Sequence, residues 1–242
     1  MKRWTWYAGA CLAALALLAS DAGAACVLET TGGDTMTMSR GRMRTNWDAG
    51  GLIILGKSGK IILLNDKNKI YVNVSPQEFC DGMVEFVKKM MGGTLPPGAL
   101  DKLKGNAEGS NVTVVDKGDG GMVSGYATHQ IAFLVGDDPY QDVFVSTDPK
   151  LMAEYGKAGK ILAAFSTCMS RMGALTGGAL PPEATRAYGD VVASGLVLKT
   201  VPHGGGEPEE SKVTMKDVPE SLFAAPKDYA KVDLETFMKK MM

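Results

Sequence analysis

Cysteine and histidine offer the most chemistry in this 242-residue chain, and there are only four of the first and two of the second. Cys26, Cys80 and Cys168 lie beyond an apolar leader that contains Cys11. Their spacing includes no CxxC, which speaks against a thioredoxin-like or zinc-ribbon site. His129 in a strand and His203 in a glycine loop cannot make a zinc site with several imidazole ligands, and no HExxH occurs. There is no GxSxG elbow and no SxxK. Gly118-Asp119-Gly120-Gly121 lacks the lysine and the helix of a phosphate loop and reads as a hairpin turn. A Cys168–His129 nucleophile pair would need an exposed thiol of lowered pKa. Cys168 instead adjoins an apolar stripe of Phe165, Met169 and Met172. The expectation is a non-enzymatic protein with no catalytic residues, no metal and no cofactor.

The leader explains the cysteine count. Lys2 and Arg3 give a positive start, Ala8 to Ala19 is apolar, and Asp21-Ala22-Gly23-Ala24-Ala25 is a small-residue exit. This is the pattern of a secretory signal peptide over residues 1–24. Its apolar core is well short of the ~20 residues that span a bilayer, and no later stretch is apolar enough to do so. Two readings of the exit stand. Ala22-Gly23-Ala24 fits cleavage after Ala24. Gly23-Ala24-Ala25-Cys26 resembles a lipobox, with Gly23 where leucine is usual, and would make Cys26 a lipidated first residue. Lipidation of Cys26 leaves Cys80 and Cys168 as one natural disulfide pair in an oxidising compartment. The alternative is that both are buried thiols on helix faces. Either way the expected location is periplasmic or extracellular, with tethering to the outer membrane if Cys26 is acylated.

Composition narrows the rest. Lys+Arg number 26 and Asp+Glu 27, for a net charge of −1, and apolar residues make up 45%. That is globular composition without the basic excess of a nucleic-acid binder. Glycine, at 30 residues, favours many turns.

The elements follow from periodicity. From Val27 to Val74 short strands succeed one another, with turns at Asp48 to Gly51, Lys57 to Lys60 and Asn65 to Asn68. Arg40, Arg42 and Arg44 alternate on one face, read as the solvated side of an antiparallel strand. Ser75-Pro76 caps a helix whose Phe79, Met83, Phe86, Val87, Met90 and Met91 keep helical spacing to Gly92-Gly93. A linker at Leu95 to Gly98 and a short helical turn at Ala99 to Leu103 come next. Strands are expected at Asn111 to Asp116, Tyr126 to Val135 and Gln141 to Ser146. A second helix starts at Asp148-Pro149 and breaks at Thr176-Gly177-Gly178 and Pro181-Pro182. Strands at Val191 to Val201 and Ser211 to Val218 and an amphipathic segment at Asp233 to Met242 complete the chain. The meander order needs no helical crossovers, so the sheet is antiparallel. Residues 25–242 fit one α+β domain, a curved antiparallel β-sheet with two main helices packed in its concave face.

Ser124-Gly125-Tyr126, Val143 to Pro149 and Val218-Pro219-Glu220-Ser221-Leu222-Phe223, running on to Pro226 and Tyr229, together with Lys69-Ile70-Tyr71, resemble the motifs of an uncharacterised family of secreted bacterial proteins, a domain of unknown function. Phe144 stands where that family often has Trp, and Asp228 where it often has Gly. The resemblance implies a half-open barrel similar to the outer-membrane lipoprotein carriers of the LolA/LolB type, and it supplies no catalytic residues. The closing motif reads as packing: Leu222 and Phe223 dock on the sheet between rigid Pro219 and Pro226.

The functional expectation is a binding protein for an apolar ligand, a lipid or a lipoprotein acyl chain. Its candidate lining is Met36, Met38, Met83, Phe86, Met90, Leu162, Phe165 and Met169, since a chain with 15 methionines suits an adaptable apolar surface. The alternative is a structural or protein-interaction component of the envelope, without a small ligand, that meets an envelope partner through an apolar patch or sheet edge. The leader reading is tested by intact mass spectrometry of the exported protein. A mass beginning at Ala25 is expected, and a mass beginning at an acylated Cys26 would establish the lipobox reading instead.

Overall fold

The structure, a computed structural model, describes residues 22–93, 112–175 and 182–241, with side chains 22, 23 and 170–185 left aside. The core of the leader, the linker at 95–98, the turn expected at 99–103 and the break at 176–181 lie outside the described residues, and so does the side chain of Met172.

Among the described residues twelve strands form one open, mostly antiparallel sheet. They are β1 (Ala22–Thr30), β2 (Thr35–Ser39), β3 (Arg42–Trp47), β4 (Gly50–Leu55), β5 (Lys60–Asn65), β6 (Ile70–Val74), β7 (Val112–Val123), β8 (Tyr126–Val135), β9 (Asp138–Ser146), β10 (Leu196–Pro202), β11 (Glu209–Pro219) and β12 (Ala230–Lys231). The spatial order is β12-β6-β5-β4-β3-β2-β1-β11-β10-β9-β8-β7. Two antiparallel meanders, β1 to β6 and β7 to β10, are therefore joined through β11, which lies between β1 and β10. Among the described strands only the short β12 runs parallel to its neighbour, β6.

Among the described residues four helices accompany the sheet: α1 (Pro76–Met90), α2 (Pro149–Leu175), α3 (Pro182–Ser194) and α4 (Leu234–Met241). α1 starts as its sequence dictates. The Ser75 hydroxyl accepts from the Glu78 amide at 3.1 Å, and the Glu78 carboxylate accepts from the Ser75 amide at 2.6 Å, a reciprocal cap that satisfies two orphan donors. α2 is broken at Gly156, whose φ of +34° is not helical. A disulfide joins Cys80 on α1 to Cys168 on α2 with Cα atoms 5.7 Å apart. A cross-link closing so long a loop is worth about 2–4 kcal/mol.

Alternation puts two different surfaces on the first meander. One side sends Cys26, Leu28, Met38, Met43, Leu52 and Ile54 into the main core, with Leu151, Tyr155 and Ala158 of α2 packed on them. The other side buries Ala25, Ile53, Ile62 and Leu64 under Val218 and Phe223. β4 and β5 are thus covered on both faces, which is why they read as unbroken apolar runs. A third cluster, Phe133, Val143, Val145 and Val191, brings α3 onto β8 and β9.

Several elements depart from the sequence expectation, each for a local reason. Arg40-Gly41 turns with positive φ at both residues (52° and 74°), so Arg40, Arg42 and Arg44 do not share one solvated strand. They hold the closing segment. Arg42 grips Glu220 with both Nη atoms and lies 4.6 Å over the Phe223 ring, and Arg44 Nη1 donates to the Leu222 carbonyl at 2.9 Å. Gly118 to Gly121 is not a turn. β7 runs through it with register shifts after Asp116 and Asp119, whose carboxylates accept from the Gly118 and Gly121 amides at 2.8 Å. These are bulges that use glycine at positive φ (85° and 74°). The turn itself is Ser124-Gly125, both at positive φ, as a tight hairpin requires. Finally, Val191–Ser194 is the end of α3 rather than a strand, and β10 begins only at Leu196.

Arg42 holds the Glu220 carboxyl below its ordinary range, mainly through the hydrogen bond. A carboxyl of depressed pKa stabilises the fold above its unfolded value, near 4.5, and loses that contribution as pH falls through the folded value. Arg42→Ala should lower stability by about 1–2 kcal/mol at neutral pH, and the gap to wild type in urea melts should shrink as pH falls below 4.5. A gap independent of pH would disprove the role of the ion pair.

Candidate functional site

The ladder between β10 and β11 has only two register pairs, Lys199↔Glu210 and Thr200↔Glu209. β1 by contrast pairs with β11 from Ala22↔Pro219 to Thr30↔Ser211. β10 also carries an irregularity between Val197 and Lys199 where it meets β9. Beyond Lys199↔Glu210, towards Leu196 and Ser211, β10 and β11 are unpaired, and side chains rather than backbone must fill the space between them.

A cavity of about 230 Å³ lies there. Its apolar wall is Leu28, Met36, Leu162, Val192, Leu196 and Leu198. Tyr155 and Tyr188 close it on the α2 and α3 side. Thr30, Thr200, Glu209 and Ser211 form its polar margin on the strands, and Ser166 contributes from α2.

Tyr155 fixes the two helices over this space. It is almost fully buried, and its hydroxyl donates to the Val192 carbonyl at 2.7 Å. Gly159 makes room for the ring: a Cβ there would come within 2.4 Å of Tyr155 Cε1. Burial raises the pKa of both tyrosines, with Tyr188 adding to the effect on Tyr155 and Glu209 to that on Tyr188. Both hydroxyls stay neutral at physiological pH and present a donor, not a charge.

The eight residues expected to line a ligand site are not brought together. Met36 and Leu162 reach the cavity. Met38 is fully buried in the main core, and Met83 and Phe165 pack against that core, Phe165 with its ring centroid 5.4 Å from that of Phe79. Phe86 is buried beside a small cleft between α1 and α4, with Leu234 and Met238. Met90 (63% exposed) and Met169 (44% exposed) face solvent. Met90 closes the last turn of α1. Met169 follows Cys168, which the disulfide turns inward, and so is carried ~100° around the helix.

Sequence reasoning missed Tyr155, Tyr188, Val192, Leu196 and Leu198 as lining. Reading Val191 to Val201 as strand hid the i, i+4 pair Tyr188 and Val192. The usable signal was Pro182, a residue favoured in the first turn of a helix.

The reactive residues lie elsewhere. Cys168 is bonded to Cys80, and His129 Nε2 stands 2.5 Å from Asp116 Oδ1 on β7, so the Cys168–His129 pair does not form. His203 Nε2 is 3.2 Å from Asp142. Among the described residues no group of three or more His, Cys, Asp or Glu is placed to hold a metal. Cys26 is buried in β1 opposite Met38, and burial, with Glu154 adding, pushes its thiol up to about 12. Asn73 Oδ1 is a buried acceptor without a protein partner. Comparison with protein-family models, with curated proteins and with solved structures finds no match to this chain.

The Tyr155 hydrogen bond can be tested alone. Tyr155→Phe keeps the ring but strands the Val192 carbonyl, and should cost about 1–3 kcal/mol in chemical denaturation. An unchanged midpoint would mean that α3 is not tied down through this contact.

Proposed function

We propose that this chain is an exported envelope protein that binds an apolar ligand, without catalysing a reaction, in the cavity where β10 and β11 separate. The observation that carries this reading is a mainly apolar space of about 230 Å³ walled by side chains from four strands and two helices, with a few polar groups among them. Small-molecule sites combine an apolar wall with a few placed polar groups in this way. In this reading the sheet is the trough of a LolA/LolB-like half-barrel and the helices are its filling.

The volume limits the ligand. Small-molecule pockets commonly span ~300–1,000 Å³, so a whole lipid does not fit. At about 30 Å³ for a group the size of water or a methylene, the space takes roughly eight carbons: one short alkyl segment or the end of an acyl chain. Burying eight methylenes contributes about 6 kcal/mol before the costs of association. That sets the best Kd for the alkyl part alone in the tens of micromolar.

Export agrees with the Cys80–Cys168 disulfide, which an oxidising compartment favours. Cleavage ahead of a retained Cys26 agrees with its burial, because an acylated Sγ has no room opposite Met38. Among the described residues no helix is long and apolar enough to cross a membrane. The structural-component reading would use the edge strand β7, where Val114 and Met122 are exposed. The two bulges of β7 twist that edge away from strand addition, which favours the cavity.

1-Octanol titrated into the folded protein and followed by amide NMR should bind with a Kd of tens to hundreds of micromolar, shifting residues of β1, β10 and α3. Leu162→Trp, which fills the space, should weaken binding at least tenfold with the urea midpoint held. No saturable shift in wild type would refute the proposal.

A further inference from the structure

The charge at the cavity margin that has no partner is of one sign. Pairing places side chains on faces without ambiguity here: Leu28↔Val213 and Thr30↔Ser211 put Ser211 on the cavity side of β11, and Glu209, two residues along, shares that side. Thr200 is the partner of Glu209 and faces the same way. Lys199 and Glu210, the adjacent pair, therefore lie on the opposite face. Although Lys199 borders the cavity, its Nζ is 3.4 Å from Glu210 and 5.5 Å from the Phe144 ring centroid. Its charge is engaged away from the mouth.

Glu209 has no such engagement: among the described residues no cation pairs with it. It is exposed, and the cavity lining it shares includes the hydroxyl groups of Ser211 on its own strand and of Thr30 and Thr200 on the neighbouring strands. The Thr30 hydroxyl accepts from the Asp34 amide at 3.1 Å, which brings a second acidic residue to the same end of β1. Arg186 of α3 is exposed and does not contribute to the cavity wall. An alkyl chain lying in this space ends among hydroxyls and a carboxylate.

We infer that the ligand is an amphiphile with a cationic head, an alkylammonium group or a like amine, whose chain fills the cavity and whose nitrogen meets Glu209 at its mouth. The inference rests on the apolar-ligand reading and narrows it: a free fatty acid would place its carboxylate against Glu209 and be disfavoured. The ammonium head donates to the Glu209 carboxylate and to the surrounding hydroxyl oxygens, which accept. Because the carboxylate is exposed, the attraction is screened and modest, so the expected preference is several-fold.

Three probes of equal chain length separate the possibilities: octylamine, 1-octanol and octanoate, titrated below their aggregation concentrations at pH 7 and low salt. Wild type should bind octylammonium at least threefold more tightly than octanol, and octanoate most weakly. Glu209→Gln should abolish the advantage of the amine over the alcohol, and added salt should reduce the wild-type preference. If octanol binds but octanoate equals or exceeds octylammonium, or Glu209→Gln leaves the preference intact, the inference is overturned and the apolar-ligand reading survives. If none of the three binds, both are overturned.

Discussion

The seam between β10 and β11 governs the rest of the molecule. A continuous ladder there would draw β10 against β11, and the second meander would continue the first as a plain extended sheet. Instead only Thr200↔Glu209 and Lys199↔Glu210 pair, while β11 is committed along its length to β1. Backbone groups beyond that contact need other partners, since an unpaired buried amide or carbonyl is costly. One is supplied locally: the Ser124 hydroxyl donates to the Ser211 carbonyl at 2.6 Å. The separation is thus built into the hydrogen bonding, and the cavity is its by-product.

Two devices hold the separated halves in place. On the helical side, the disulfide ties α1 to α2, and Tyr155 ties α2 to α3 through the Val192 carbonyl. The chain from one meander is thereby linked through three helices to the other. On the far side, Arg42 and Arg44 clamp the turn after β11, and Phe223 seals Ile53, Ile62 and Leu64. Beyond it Lys69 reaches Asp228 at 2.8 Å and the Tyr229 hydroxyl donates to Asp66 at 2.7 Å. β11 is therefore anchored at its C-terminal end by charge and at its middle by β1, and its N-terminal end alone meets β10. If processing removes residues up to Ala24, β1 loses its pairs with Pro219, Val218 and Asp217 but keeps those from Ala25 onward, including the cavity side chain Leu28.

Local signals carried much of the fold. The apolar runs Leu52 to Leu55 and Ile61 to Leu64, set around turn residues, announced strands, and Ser75-Pro76 announced the start of α1. Where the reading failed, two conformations shared one signal. Asp-x-Gly marks a turn and equally a bulge, and only the partner strand decided between them for Asp116 and Asp119. Val191 and Val192 favour strand by their branching, yet they finish a helix because Val191 packs with Phe133 and Val145. The arginine trio was visible, but its role depended on Glu220, roughly 180 residues away in sequence. The site was the least legible part. Of its methionines, Met38 and Met83 belong with the core, Met90 and Met169 face solvent, and Met36 reaches the cavity. The cavity comes from a break in strand pairing, which no periodicity in β10 or β11 records.

The central claim is an apolar space maintained at that break rather than a core that collapses shut. Xenon enters apolar cavities, so diffraction from crystals pressurised with xenon tests it directly. The account predicts a xenon site bounded by Leu28, Met36, Leu162, Val192 and Leu198, with the backbone unmoved. Continuous side-chain density across that position, with β10 and β11 paired beyond Lys199↔Glu210 and no xenon bound, would contradict it.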